Sequence, residues 1–299
     1  MALTAHAAPI GTVTIVDGEA AIVREAQRFA ATEGLRLRED DIVRTGSGTA
    51  LLRIELPDGT ALDLGPATEL MLQPRAGSRL GERAALLYLA RGWLKVTAGA
   101  GGAAGLASPL ADVRRLDGTA VLSASAQAAL LFVEAGRAHA AEGGRNTEFA
   151  LSAGDALVRR AGEPATAARR PPADLLAGLP RAFADSLPRR AARFVAAPAA
   201  PGPAQPVAFS EVSSWIDGEA SLRSHAAQRF ASRAGDREFR AALLAGLRSH
   251  PEWDRTLFPE KYRPKPVVVV QRADTQALSL RGVMAWPTAA SPDTMENPR

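Results

Sequence analysis

The alternation of apolar and polar positions sets the reading of the first half of the chain. In the run Ala50–Leu56, Leu52, Ile54 and Leu56 fall on one face while Arg53 and Glu55 fall on the other, the two-residue period of a half-buried strand. Pro57, Asp58, Gly59 and Thr60 interrupt it, and Leu62 and Leu64 then resume the alternation. An Asp-Gly pair between alternating runs predicts a tight hairpin, because glycine reaches positive φ without a Cβ clash. Similar breaks stand at Asp17-Gly18, Gly46–Gly48, Arg91-Gly92 and Asp117-Gly118. Many short strands so punctuated predict a sandwich, a barrel or a β-solenoid over residues 11–165. Two partial echoes, Leu37–Arg44 with Leu151–Val158 and Asp58–Leu62 with Asp117–Val121, have different offsets. Repeated turn chemistry explains them better than a duplication.

From Val207 the period becomes helical. Ser210 is placed to cap a turn carrying Val212 and Trp215, and Leu222, Ala226 and Phe230 lie four apart on one helical face. Asp236 is an N-cap candidate for a further helix with Phe239, Leu243 and Leu247 on its buried stripe, stopped at His250-Pro251. Seven of the fifteen aromatic residues fall between Phe209 and Tyr262, which predicts a small helical domain over 207–262 with a core of its own. Residues 166–206 read as a Pro-, Ala- and Arg-rich linker, extended and mobile near Ala196–Pro206, with a short amphipathic helix around Leu175–Leu187 packing back on the β-domain. Residues 263–299 are expected to hold a short strand at Val267–Val270 and a disordered tail. The fold class is therefore mainly β followed by a small C-terminal α-helical domain.

Composition narrows the chemistry. With 46% hydrophobic and 23% charged residues the chain is built like a soluble globular protein. It has no cysteine, which excludes disulfides, thiolate metal sites, thiol nucleophiles and a lipid-modified cysteine. No apolar run approaches the roughly 18 residues of a spanning helix, so no integral membrane segment is expected. Ala5-His6-Ala7 has the small-x-small form of a signal-peptidase site, and residues 1–10 are expected to be the remnant of an export signal, which places the protein in the periplasm.

The net charge of +4 is concentrated, with eight arginines from Arg159 to Arg193 opposed by Glu163, Asp174 and Asp185. That segment lacks the stacking aromatics of single-strand binders, so a solvated connector fits it better, and no nucleic-acid partner is expected. His6, His139, His225 and His250 show no metal-ligand spacing. Glu39, Asp40 and Asp41 could supply acid–base work, but on a strand edge such carboxylates form a charged rim. The glycine-rich Gly99–Gly105 lacks the Lys-Ser/Thr of a phosphate loop. We therefore expect no catalytic, cofactor-binding or metal-binding residue, no cofactor and no enzymatic activity.

Particular stretches resemble the FecR domain. They are Gly11–Arg24, Leu35–Gly48 with its Leu, spacer, Asp41, apolar pair and Thr45-Gly46, and above all Leu52–Leu70. Gly92–Val96, Asp117–Val121, Phe132–Gly136 and Leu151–Asp155 are similar to the strands that complete such a domain, so the resemblance covers 11 to about 162. It implies a compact all-β periplasmic domain without a catalytic centre. Signalling members of that family carry an anti-sigma segment and a membrane helix ahead of this domain; this sequence matches freestanding exported members instead. The leading expectation is a non-catalytic interaction or scaffold module of the bacterial envelope, with an unidentified envelope protein or glycan as partner. A sensor component linked to sigma-factor signalling and an envelope-polysaccharide-binding or -modifying protein are the alternatives. Trp215, Trp253, Phe258 and Tyr262 are the partner-binding candidates, because aromatic anchors dominate interfaces; the competing reading puts them in the core of the helical bundle.

Overall fold

The computed structural model describes residues 9–74, 86–143 and 147–263. The expected signal remnant at 1–8 and the expected strand and tail from 264 onward lie outside the described residues. Residues up to Lys261 belong to one compact unit, and a second begins at Tyr262. The protein is mainly β with a smaller C-terminal helical region, and the sheet is not a closed barrel.

Alternating runs and glycine turns produce, in order, β1 (Gly11–Asp17), β2 (Ala20–Arg24), β3 (Gln27–Ala30), β4 (Arg36–Leu37), β5 (Ile42–Thr45), β6 (Leu51–Glu55), β7 (Ala61–Leu64) and β8 (Glu69–Leu72). Three long strands follow with a short one among them: β9 (Leu87–Thr97), β10 (Ala103–Ala107), β11 (Ala111–Ala124) and β12 (Ala128–Glu142). Then come β13 (Glu148–Ser152), β14 (Ala156–Arg160), β15 (Thr166–Ala168) and β16 (Gln205–Pro206).

The long strands change partners halfway along, which divides the sheet into two layers. The first half of β9 pairs with β8, while its second half, from Leu94, pairs with β7. Residues 119–124 of β11 pair with that second half, whereas its earlier residues pair with β10. In β12, residues 128–132 pair with β14 and residues 137–141 with β13. One layer therefore runs β4-β1-β6-β7-β9-β11-β12-β14-β15, and the other runs β16-β3-β2-β5-β8-β9-β10-β11-β12-β13. We call them the upper and the lower layer. Of the described strand pairs β9–β10 is parallel and the rest are antiparallel, which makes the body a strand-switched sandwich rather than a solenoid.

The inner faces meet in one core. Val13, Leu52, Ile54, Leu62, Leu64, Leu94, Leu122 and Leu131 of the upper layer lie in the same buried cluster as Ile22, Val43, Leu70, Leu72, Leu89 and Val113 of the lower. The bend that lets β11 and β12 serve both layers falls at Gly118 and Gly136, which face each other in register with φ of +124° and +77°. A Cβ on Gly136 would lie 1.8 Å from the Asp117 carbonyl oxygen, so only glycine fits this crossing.

Both outer faces carry apolar side chains as well, set among buried ion pairs, and the chain covers each with its own later segments. On the lower layer, Val23, Ile42, Met71, Tyr88 and Ala107 point outward into a second core, built with Val207, Val212, Trp215, Ile216, Leu222, Phe230, Phe239, Leu243 and Trp253. These come from α2 (Ser213–Ile216), α3 (Ala220–Arg229), α4 (Arg237–Gly246), α5 (Asp254–Leu257) and the 3-10 turns between them. The Leu222, Ala226, Phe230 stripe and the Asp236 cap, which accepts from the Phe239 N–H at 3.0 Å, are as the periodicity predicts. Ser210 does not cap: the Glu211 carboxylate takes that place, accepting from the Ala208 N–H at 2.9 Å. The expectation of a helical bundle with a core of its own is corrected, because one wall of that core is the outer face of the sheet.

The linker expectation is corrected too. After β15, the chain forms a belt across the outer face of the upper layer. Helix α1 (Ala173–Gly178) buries Leu175 against Leu130 and Val158, and a 3-10 turn at Arg181–Ala184 buries Phe183 against Leu51 and Val121. Leu179-Pro180 splits what the pattern reads as one amphipathic helix, as a proline without an N–H must. The belt then passes a 3-10 turn at Ala191–Phe194, makes a parallel bridge from Ala199 to Leu35, and ends as β16 on the edge of β3.

Candidate functional site

The four aromatic candidates for partner contact divide between core and surface. Trp215 and Trp253 are 1% and 0% exposed, at the centre of the helix–sheet core. Trp215 tilts against Tyr88 with ring centroids 5.9 Å apart, and Trp253 lies 6.4 Å from Phe239, which meets Phe209 edge-on at 5.5 Å. A partner cannot reach either indole without opening that core, so their assignment as partner anchors is corrected to packing. Phe258 is half-buried on the rim of the same core, with the Lys261 ammonium 4.1 Å from its ring centroid. Tyr262 is 48% exposed and remains a contact candidate.

The acidic cluster is a joint. Asp41 is fully buried and forms a two-pronged pair with Arg24 at 2.8 and 2.6 Å, while accepting the Arg38 N–H at 2.9 Å. Asp40, at φ +70°, meets His225 Nε2 of α3 at 2.7 Å. Next to it Arg229, also of α3, spends its guanidinium on the carbonyls of Val23, Glu25 and Asp40 at 2.8, 3.2 and 2.5 Å. Asp40 thus locks helix to sheet, while Asp41 braces the turn before β5 against β2. The other helical histidine, His250, takes Asp217 Oδ1 at 3.0 Å, so His225 and His250 answer to different carboxylates. Among the described residues no group of three or more His, Cys, Asp or Glu is placed to hold a metal ion.

A second joint lies along the same interface. Glu69, 2% exposed, receives Arg44 at 3.1 Å, Arg91 at 2.7 Å and the Ser214 hydroxyl, and Arg44 continues to Glu211 at 3.3 Å. Glu211 also pairs with Arg28 at 3.0 Å. None of these acids stands out in the sequence. The signal that could have found them is a carboxylate or arginine inside an otherwise apolar run, such as Glu69 in Glu69–Leu72, where no solvent face is available to hold a charge.

The upper layer grips the belt in a different way. Arg53 forks onto Asp63 at 2.6 and 2.7 Å and sends its remaining nitrogen to the Leu187 carbonyl at 2.9 Å. The hydrogen bonds it donates to Asp63 raise the Arg53 pKa above its ordinary value, against the lowering effect of burial. Buried Glu55 accepts the Arg190 and Ala191 N–H groups at 2.8 and 3.0 Å and the Thr14 hydroxyl at 2.9 Å. Lys95 donates to the Phe183 carbonyl at 2.5 Å, and Arg36 reaches the Phe194 and Val195 carbonyls at 3.4 Å. These contacts all seize the belt by its backbone.

A small apolar cavity of about 20 Å³ lies between the layers, lined by Leu87, Val96, Val113 and Leu131 among others. A wider one of about 290 Å³ opens between Ile10, Leu56, Leu72, Leu86 and the Asp58 turn. Asp58 is committed to that turn, accepting the Thr60 N–H at 2.8 Å and its hydroxyl at 3.1 Å.

No protein-family model matches the chain, and no curated protein matches it. Two crystal structures of a candidate anti-sigma factor from Parabacteroides distasonis ATCC 8503, at 2.50 and 1.65 Å resolution, are similar at 14% and 13% identity with TM-scores of 0.35. Each match covers 44% of this chain and spans 60% of that chain's length. A likeness at that TM-score carries no argument about function.

Proposed function

We propose that the chain is a non-catalytic interaction or scaffold module of the bacterial envelope, acting in the periplasm, as its resemblance to freestanding FecR-domain proteins implies. The observation that carries this reading is the use made of its charged groups. The side chains that could have done acid–base work, Asp40, Asp41, Glu55, Asp63 and Glu69, are tied into ion pairs and backbone contacts, and all but Asp41 serve joints that fasten the belt or the helices to the sandwich. A body stiffened in this way on both faces presents a fixed surface, and fixed surfaces favour binding because little freedom is lost on docking.

The test is site-specific photo-crosslinking of the full chain in envelope extracts, with probes at Tyr262 and at Arg189. The reading expects one stoichiometric protein or glycan adduct from at least one probe. A chain that forms no adduct in native extracts, or that releases products from envelope polysaccharide, overturns it.

A further inference from the structure

We propose that the outer surface of the belt docks on an anionic lipid bilayer. The inference rests on the belt's geometry and stands apart from the FecR resemblance. Because Glu55, Arg53, Lys95 and Arg36 hold the belt by backbone N–H and C=O groups, its own arginine side chains are not consumed in fixing it. Arg170, Arg181, Arg189 and Arg193 are exposed, on a segment whose apolar side chains Leu175, Leu179 and Phe183 face the sheet.

Residues 160–193 carry seven arginines against Glu163, Asp174 and Asp185, a surplus of four positive charges. Two arginines have weak partners, Arg160 with Asp174 at 3.4 Å and Arg169 with Asp155 at 3.8 Å, and Arg190 meets Glu33 at 3.3 Å. Leu176 and Val195, at 52% and 68% exposure, are two of the large apolar side chains that the protein leaves in water, and both stand on the belt among these arginines. Guanidinium groups that fork onto phosphate, with aliphatic side chains beside them, match the headgroup and upper acyl region of an anionic bilayer. Nucleic acid fits less well, because Phe183 is buried and Phe194 half-buried, leaving the belt no exposed ring on which a base could stack.

The experiment is flotation of the full chain with vesicles of phosphatidylcholine alone and of phosphatidylcholine with one-third phosphatidylglycerol. Binding is expected to the anionic vesicles only, weakening as salt shortens the Debye length. Each arginine held at such a surface strengthens partition about fivefold, so Arg181→Gln, Arg189→Gln and Arg193→Gln together are expected to weaken it at least about tenfold. The same positions changed to lysine retain binding, and Leu176→Ser with Val195→Ser lowers the fraction bound at high salt. All these side chains are exposed, so the circular dichroism and thermal midpoint of the variants match the parent. The proposal is overturned if anionic vesicles do not bind, if the glutamine variant binds as the parent does, or if duplex DNA or heparin competes the protein off the vesicles at equal phosphate or sulfate concentration.

Discussion

Arg53 and Asp63 show what an isolated residue can and cannot say. On a strand of alternating pattern Arg53 reads as a solvent-facing charge, yet it is 4% exposed and Asp63 is 3% exposed, because the belt lies over them. Asp63→Ala would strand a buried guanidinium, and we expect a loss of about 3–5 kcal/mol in urea unfolding. Arg53→Met with Asp63→Leu should recover most of it. A raised folded-state pKa means that Arg53 contributes fully below its unfolded value and loses that contribution only as pH climbs through the folded one, so its effect is flat across neutral pH. Asp236 behaves in the opposite sense. The Phe239 N–H holds its carboxyl below the usual carboxylate range, so its stabilisation is present above the ordinary carboxylate value and is lost as pH falls through the lowered one. The Asp236→Ala variant should melt below the parent at pH 7, and the gap should close towards pH 2 in paired thermal scans.

At the scale of elements, the long strands are the unusual feature. Strands of 14 and 15 residues exceed the usual five or so, and they survive because each is bent at the paired glycines and supplies both layers. Gly136→Ala places a Cβ against the Asp117 carbonyl in a left-handed backbone, and a loss of at least about 1–3 kcal/mol is expected from the backbone conformation alone. A thermal midpoint equal to the parent's would show that the crossing tolerates a side chain. The belt makes the complementary point. Its prolines break regular helix, and the fragments that remain are too short to persist by themselves. They are held by Leu175 and Phe183 in apolar seats and by sheet side chains on their carbonyls and N–H groups.

The unit that ends at Lys261 is a sandwich with both outer faces covered, four layers in all, from belt through two sheet layers to helices. Removing everything after Pro206 would uncover Val23, Ile42, Met71, Tyr88 and Ala107 together, a patch of the kind that drives association. We expect residues 1–206 to aggregate or bind a hydrophobic dye, and residues 207–263 alone to show no cooperative unfolding by circular dichroism. A helical fragment that melts cooperatively would mean that its core closes without the sheet. The joints at Asp40, Glu69 and Arg229 fasten the helices up to Leu257 to the sheet, since each links a strand or its turn to a helix.

The sequence by itself determined alternating strands such as β6 and β7 with the glycine-led turn between them, the helical face of Leu222, Ala226 and Phe230 and the Asp236 cap, because these follow from periods of two and of 3.6 and from local hydrogen bonds. It carried one further signal in runs without alternation: Ala20–Val23 and Glu69–Leu72 are buried at every position, as strands covered on both faces must be. Only the tertiary structure decided what does the covering. Whether Trp215 and Trp253 face a partner or a sheet, and whether a Pro- and Arg-rich stretch is a tether or a belt, depends on pairings across distances such as the 135 residues from Glu55 to Arg190. Local periodicity holds no record of which distant surface a segment will meet, and the free energy of burial that fixes it exists only once both surfaces are in place.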